Sequence, residues 1–275
     1  MNNLTSALPT LTQPPSDLPG DDLPGEAPRS EQRLVGSVVP RQDLRAGERD
    51  EMYALLAAYF RGTNRSQFES DLSEKEAVVL LRDADSGRIQ GFSTFMRIAA
   101  PIKDERIVAF FSGDTIVARQ YWGDTLLSRL WSQTVFAQAD LIRAQSPTTR
   151  VYWFLICSGY RTWRFLPVFF REFYPNPNAP TPPRMQRILD TLGQQKFGNQ
   201  FLPGSGIVRL LPATPLRAGV AEVTEQRLRD SQVAFFTRMN PGHAAGDELA
   251  CLTEISRSNL TRAGQRMVGG HVRSS

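Results

Sequence analysis

Cysteine, histidine and lysine are all scarce in this chain of 275 residues. Its two cysteines, Cys157 and Cys251, cannot build a disulfide framework, and a reducing, cytoplasmic setting is expected. Cys157 lies in an apolar run, which raises a thiol pKa and argues against a nucleophile. The two histidines, His243 and His271, stand apart from any cysteine cluster, so no metal site is expected. Lysine supplies only three of the 32 basic residues: Lys75, Lys103 and Lys196. An arginine excess suits phosphate or carboxylate recognition and equally fits genome composition. No apolar run reaches eighteen residues, so no integral membrane segment is expected. No apolar stretch follows the first methionine, and no secretory leader is expected. Beyond the weak group Arg161, Arg164 and Arg171 there is no basic stripe with aromatics, which argues against a nucleic-acid partner.

Hydrophobic residues make up 41% of the chain, enough for a substantial core. The formal charge is +4, although the first fifty residues hold eight acids against five arginines. Residues 1–30 are rich in Pro, Ser, Thr and Asp, and Asp17-Leu-Pro-Gly recurs as Asp22-Leu-Pro-Gly. Such a composition cannot offset its ordering entropy and reads as a disordered leader. Apolar periodicity predicts strands over Leu34–Val39, Ala77–Arg82, Arg88–Ala99, Arg106–Val117, Val151–Cys157 and Gly206–Leu211. It predicts helices over Gly47–Arg61, Asn64–Glu74, Gly123–Ile142, Gly159–Phe173, Arg184–Gln194, Glu222–Met239 and Asp247–Ser258. Five prolines in Pro175–Pro183 mark a loop. The organisation expected is a leader at 1–30, a core at 31–211, and a C-terminal helical extension with a basic tail at 212–275.

The central unit, Arg106–Ile142, carries the functional expectation. A strand ends near Val117, and Gly123 opens a helix with Leu126, Leu127, Leu130, Trp131 and Val135 at helical spacing. Free N–H groups and the helix dipole at such a junction favour a phosphate. Ser112 and Asp114 lie two residues apart on the preceding strand, which by alternation puts them on one face. Asp114 is a candidate proton acceptor or amine ligand, with a turn acid beside Gly113 as the plainer reading. Glu69 and Asp71 could also bind an amine, and His243 could titrate near neutral pH in an Asn-Pro-Gly-His segment of no evident purpose.

The order β–α–α–β–β–β–α–β–α around this strand–Gly–helix unit resembles the GCN5-related N-acetyltransferase (GNAT) superfamily over roughly residues 33–175. Against that family's Q/R-x-x-G-x-G/A motif, two registers fit: Gln120-Tyr-Trp-Gly123-Asp-Thr125, or Trp122-Gly123-Asp-Thr125-Leu-Leu127. The resemblance implies an α/β fold with a mixed central sheet flanked by helices. It implies pyrophosphate binding by Gln120, Trp122, Gly123, Asp124 and Thr125. The activity implied is acyl transfer from acyl-CoA or an acyl carrier protein thioester to a small-molecule amine. Ser112 would border the acyl group, and Tyr160, after Cys157-Ser158-Gly159, stands where the family often places a tyrosine acid. The acyl-homoserine-lactone and N-acyl amino acid synthases within that family are similar in their loosened phosphate motif. The aromatic segment Trp163–Tyr174 is consistent with them: Phe165, Phe169 and Phe173 would share a helical face along an acyl tunnel, with core packing as the plainer reading. The rival reading is a non-catalytic module of the same fold that binds a lipid or protein partner.

Overall fold

The computed structural model describes residues 33–102 and 105–269, so the expected leader lies outside the described residues. Eight strands form one mixed sheet: β1 (Leu34–Pro40), β2 (Ala77–Asp83), β3 (Ile89–Ile102), β4 (Glu105–Val117), β5 (Arg150–Cys157), β6 (Phe201–Leu202), β7 (Ile207–Val208) and β8 (Glu248–Glu254). Their order across the sheet is β1-β2-β3-β4-β5-β8-β7-β6. Every pairing is antiparallel except that of β4 with β5.

Helices cover both faces. On one lie α1 (Ala46–Tyr59), α2 (Arg65–Ser73) and, further along the sheet, α6 (Pro183–Phe197). On the other lies α3 (Leu126–Gln145), joined by the short helices α4 (Tyr160–Trp163), α5 (Phe165–Phe169), α7 (Ser231–Met239) and α8 (Arg262–Gly269). Local chemistry sets the ends. Asn64 Oδ1 accepts the N–H groups of Ser66 and Gln67 at 2.8 and 3.2 Å and starts α2. Pro183 occupies the first turn of α6, where no N–H is needed. Asp230 caps α7. Strand alternation feeds the two cores: Val151, Trp153, Leu155 and Cys157 pack toward α3, and Tyr152 and Phe154 toward α6. Trp131 of α3 meets Trp153 of β5 with ring centroids 4.4 Å apart.

Several expected elements differ. The helix expected from Gly123 begins at Leu126, because a short 3-10 turn at Arg119–Tyr121 intervenes and Gly123 has a non-helical φ of +98°. The helix expected over Gly159–Phe173 breaks at Arg164, since Pro167 has no N–H to continue the ladder, and turns extended at Phe170. Glu222–Met239 is helical only in α7 after a 3-10 turn at Arg227–Arg229, and the strand over Gly206–Leu211 shrinks to β7. The largest correction is Asp247–Ser258, expected as helix and found as strand β8. Buried from Glu248 to Thr253, it is apolar on both faces, a pattern that periodicity alone cannot separate from a buried helix.

Strand β8 pairs with β5 from Tyr152↔Glu254 to Cys157↔Leu249. The stretch after residue 211, expected as a helical extension, therefore supplies an inner strand of the sheet. A chain ending at Leu211 would leave one edge of β5 unpaired and uncover Phe154 and Leu155. It should lose the cooperative thermal transition followed by far-UV circular dichroism. A retained transition would show that the sheet closes without β8.

Candidate active site

The site begins where two parallel strands part. Pairing of β4 with β5 runs from Ile107↔Arg150 to Ser112↔Leu155 and stops, although β4 continues to Val117 and β5 to Cys157. Beyond that point the backbone groups that would continue the ladder are released into a gap. At the same place β4 carries a bulge. Ser93 pairs with Thr115 and Phe95 with Ser112, so Gly113 and Asp114 together oppose Thr94. The bulge reverses the alternation: Phe110 packs toward α3, whereas Ile116, six residues on, packs toward α1 and α2.

That reversal corrects the expectation that Ser112 and Asp114 share a face. Ser112 is buried on the α3 side, where its hydroxyl accepts the Trp153 indole N–H at 2.9 Å. Asp114 is half-buried and lies near Lys75, Asp71 and Lys196 on the opposite side. The bulge also needs Gly113. A Cβ there would stand 2.6 Å from Thr94 Oγ1 and 2.8 Å from Lys75 Cε.

The gap opens into a cleft of about 530 Å³ that passes through the sheet. Trp131, Phe165, Phe169 and Met267 line it on the α3 side, and Asp71, Lys75, Phe111 and Lys196 on the α2–α6 side. Asp114, Ser158 and Glu248 line it where the strands part. Glu248, at the start of β8, is buried, and its carboxylate accepts the Ser158 hydroxyl at 2.9 Å. Burial pushes its pKa up to about 7; the charge of Asp114 adds to this and the Ser158 hydrogen bond opposes it. Burial likewise raises Asp114, against the ammonium groups of Lys75 and Lys196. Lys75 is lowered by burial and by Lys196, with Asp114 opposing. Three titratable groups with displaced pKa values thus face one cleft, a pattern that marks functional sites.

The turn before α3 borders the same cleft through Trp122, Leu127 and Ser128. Trp122 lies on its wall, folded back so that the indole N–H donates to the Val117 carbonyl at 2.9 Å. The Arg161 and Arg119 guanidinium groups lie 4.5 and 5.2 Å from the Trp122 ring centre. Arg161 also lines the cleft, and its Nε is buried with no partner. Gly123, Asp124 and Thr125 are exposed at the turn. Asp124 Oδ1 accepts the Leu126 N–H at 2.6 Å. Among the described residues, the N–H groups of Gly123, Thr125, Leu127 and Ser128 have no protein acceptor. Gln120 instead bonds Gln90 at 3.1 Å, and Tyr121 is buried with its hydroxyl on Asp83 at 2.8 Å. Neither blocks the cleft.

Of the remaining candidates, Phe165 and Phe169 pair at 5.5 Å on the cleft wall. Phe173 does not join them, because the chain leaves the helix after Phe169; it is buried against Trp163 at 6.0 Å. Tyr160 is buried behind the cleft wall with its hydroxyl unpartnered. Asp71 reaches the cleft, whereas Glu69 pairs with Arg65. His243 bonds the Asn240 carbonyl at 2.9 Å inside its own turn. That turn has a structural purpose: Asn240, fully buried, donates to the Asp247 carbonyl at 2.8 Å and so fixes the approach to Glu248. Glu248, Lys75 and Lys196 escaped the sequence reading. The scarcity of lysine was the available signal for two of them, since two of the chain's three lysines face this cleft.

No family model matches the sequence, and no curated protein matches it. Solved structures overlap about half of the chain. One is a conserved protein of unknown function from Enterococcus faecalis V583, with 16% identity over 50% of this chain, 33% of that chain and a TM-score of 0.37. Another is a GNAT family N-acetyltransferase from Escherichia coli in complex with CoA, with 16% identity over 51% of this chain, 71% of that chain and a TM-score of 0.33. A third is glucosamine-6-phosphate N-acetyltransferase from Arabidopsis thaliana, with 12% identity over 48% of this chain, 88% of that chain and a TM-score of 0.32. Overlaps this partial decide nothing about the chemistry of this chain, which rests on the cleft itself.

Proposed function

We propose that this protein is an acyltransferase that moves an acyl group from acyl-CoA to a primary amine bound in the cleft. The observation that carries this reading is that one cleft, opening where two strands part, is bordered both by the turn before α3 with its free N–H groups and by a buried carboxyl poised near neutral pH. The N–H groups of Leu127 and Ser128 on the cleft wall, those of Gly123 and Thr125 in the adjoining turn, and the Arg161 guanidinium against the Trp122 ring suit the phosphates of CoA. Several donors in a row favour CoA, with its pyrophosphate, over an acyl carrier protein, whose arm has a single phosphodiester. The open cleft favours an enzyme over a module with a filled groove.

In this reading the gap receives the thioester, and released N–H groups of β4 face the charge that develops on its carbonyl oxygen. Asp114 attracts the amine as an ammonium ion. Glu248 takes one proton from it, directly or through water, and so frees the lone pair that forms the new C–N bond; the second proton, lost from the nitrogen as the amide forms, passes to water. The C–S bond breaks and the sulfur leaves as thiolate, tolerable near neutral pH because a thiol pKa is about 8.5. Trp131, Phe165, Phe169 and Met267 offer an apolar wall to the acyl chain.

Glu248→Gln should lower turnover by about 10²–10⁴-fold, the usual cost of losing a general base. Parent turnover should rise as pH passes through about 7, where Glu248 loses its proton. Stability should run the other way. The folded protein holds this proton more tightly than the unfolded chain, so stability falls from about pH 4.5 to about 7 and levels off above. Glu248→Gln should therefore melt above the parent at pH 8. Full activity in Glu248→Gln would remove this carboxyl from the mechanism.

Replacing Gly123 by Val puts a branched side chain at positive φ and blocks close backbone approach, and calorimetry should then read about tenfold weaker CoA binding. Unchanged affinity would put the phosphates elsewhere. Phe169→Ala should shift preference toward longer acyl chains and cost less stability than the ~3–5 kcal/mol of a filled core site. An unchanged chain-length profile would leave Phe169 as packing alone.

A further inference from the structure

Lys75 is a buried amine that faces the cleft without an anionic partner. It is 6% exposed, at the junction between α2 and β2, and lies on the cleft wall. Its Nζ donates to the Asp71 carbonyl at 2.9 Å and lies 5.6 Å from the centre of the Phe111 ring. Among the described residues it forms no ion pair with a carboxylate. Lys196 stands 5.6 Å from the same ring, and its ammonium already pairs with Glu74. Burying an unpaired charge is costly, and a second cation nearby adds to the cost. Both press Lys75 toward the neutral amine, with Asp114, Asp71 and Glu74 acting against them. A neutral lysine carries a free lone pair, and burial beside another cation is one way to make it a nucleophile.

The amine also stands at the gap. Gly113 lies directly under it: a Cβ there would be 2.8 Å from Lys75 Cε and 3.5 Å from Nζ. Gly113 follows Ser112, the last residue of β4 that pairs with β5, so Nζ lies beside the point where the strands part. Arginine supplies nearly all of this chain's basic residues, yet it could not take this part, because a guanidinium keeps its proton.

We infer that Lys75 is itself an acyl acceptor, and that the protein transfers an acyl group from acyl-CoA to its own Nζ. The ammonium first gives one proton to water. The freed lone pair attacks the thioester carbonyl, the C–N bond forms, the C–S bond breaks, and the sulfur leaves as the CoA thiolate. The second proton on the nitrogen passes to the Asp114 carboxylate and from there to water. The product is an amide, which does not turn over, so this is a modification rather than an intermediate. It removes a positive charge that opposes the rise in the Asp114 pKa. The inference rests on the acyltransferase reading above, which supplies the donor in the gap.

The test needs no external acceptor. The full chain is incubated with acetyl-CoA alone, and intact mass with peptide mapping locates each acetyl group among the three lysines. One acetyl group should appear, on Lys75, at a rate that saturates with acetyl-CoA and is lost when excess CoA lacking its thiol is present. Lys75→Arg keeps the charge but has no nucleophile. It should take up no acetyl group while binding CoA as the parent does by calorimetry. If that variant does not fold, the peptide map of the parent decides alone. A parent that binds CoA yet stays unmodified at Lys75 would overturn the inference and leave the acyltransferase reading standing. So would acetylation spread over Lys103 and Lys196 at a rate that only rises in proportion to acetyl-CoA. A parent that binds no CoA would overturn both.

Discussion

The parting of β4 from β5 after Ser112↔Leu155 is the constraint on which the rest depends. Two parallel strands that stay paired have no room between them for a substrate. Here the bulge at Gly113–Asp114 turns β4 away and rotates its side chains by one face. One local irregularity therefore does three things. It frees backbone groups, moves Asp114 to the side of Lys75, and leaves Ser112 on the α3 side holding Trp153. Apart from a register shift between β2 and β3 at Leu81/Arg82 the rest of the sheet is regular, and packing on both its faces holds the gap in place.

Electrostatics in the gap follow from its depth. A carboxyl at the surface stays near its ordinary pKa, but Glu248 is enclosed and has one hydroxyl for a partner. Its proton affinity rises because charging it there costs solvation that Ser158 only partly replaces. Burial raises Asp114 as well, but there the ammonium groups of Lys75 and Lys196 act against the rise, whereas at Glu248 the opposing group is the Ser158 hydroxyl. Unlike environments for neighbouring acids are how a site divides the tasks of holding a cation and moving a proton.

Much of the fold was legible in the chain. The leucines and tryptophan of α3, the strand ending at Val117, the apolar run of β5 and the proline loop before α6 all stand where periodicity puts them. What periodicity could not read was β8, because a strand buried on both faces shows no alternation. With β8 went Glu248, whose meaning depends on lying beside β5. Simple alternation also misjudged Asp114, because a bulge depends on the partner strand. Phe173 was misplaced for a similar reason: its helix breaks at Arg164 and ends after Phe169.

The sequence by itself determined a succession of strands and helices with a strand–glycine–helix unit at its centre, and the mixed sheet flanked by helices entered only through the resemblance of that order to a known family. Those features are local: side-chain periodicity, caps and turn residues act over a few positions. Tertiary structure alone decided which residues meet. Lys75, Asp114 and Glu248 come from three distant parts of the chain and share one cleft only because β8 inserts beside β5 and β4 bulges. A local pattern cannot encode that meeting, since it follows from register between strands, and register is settled only when the whole sheet is packed.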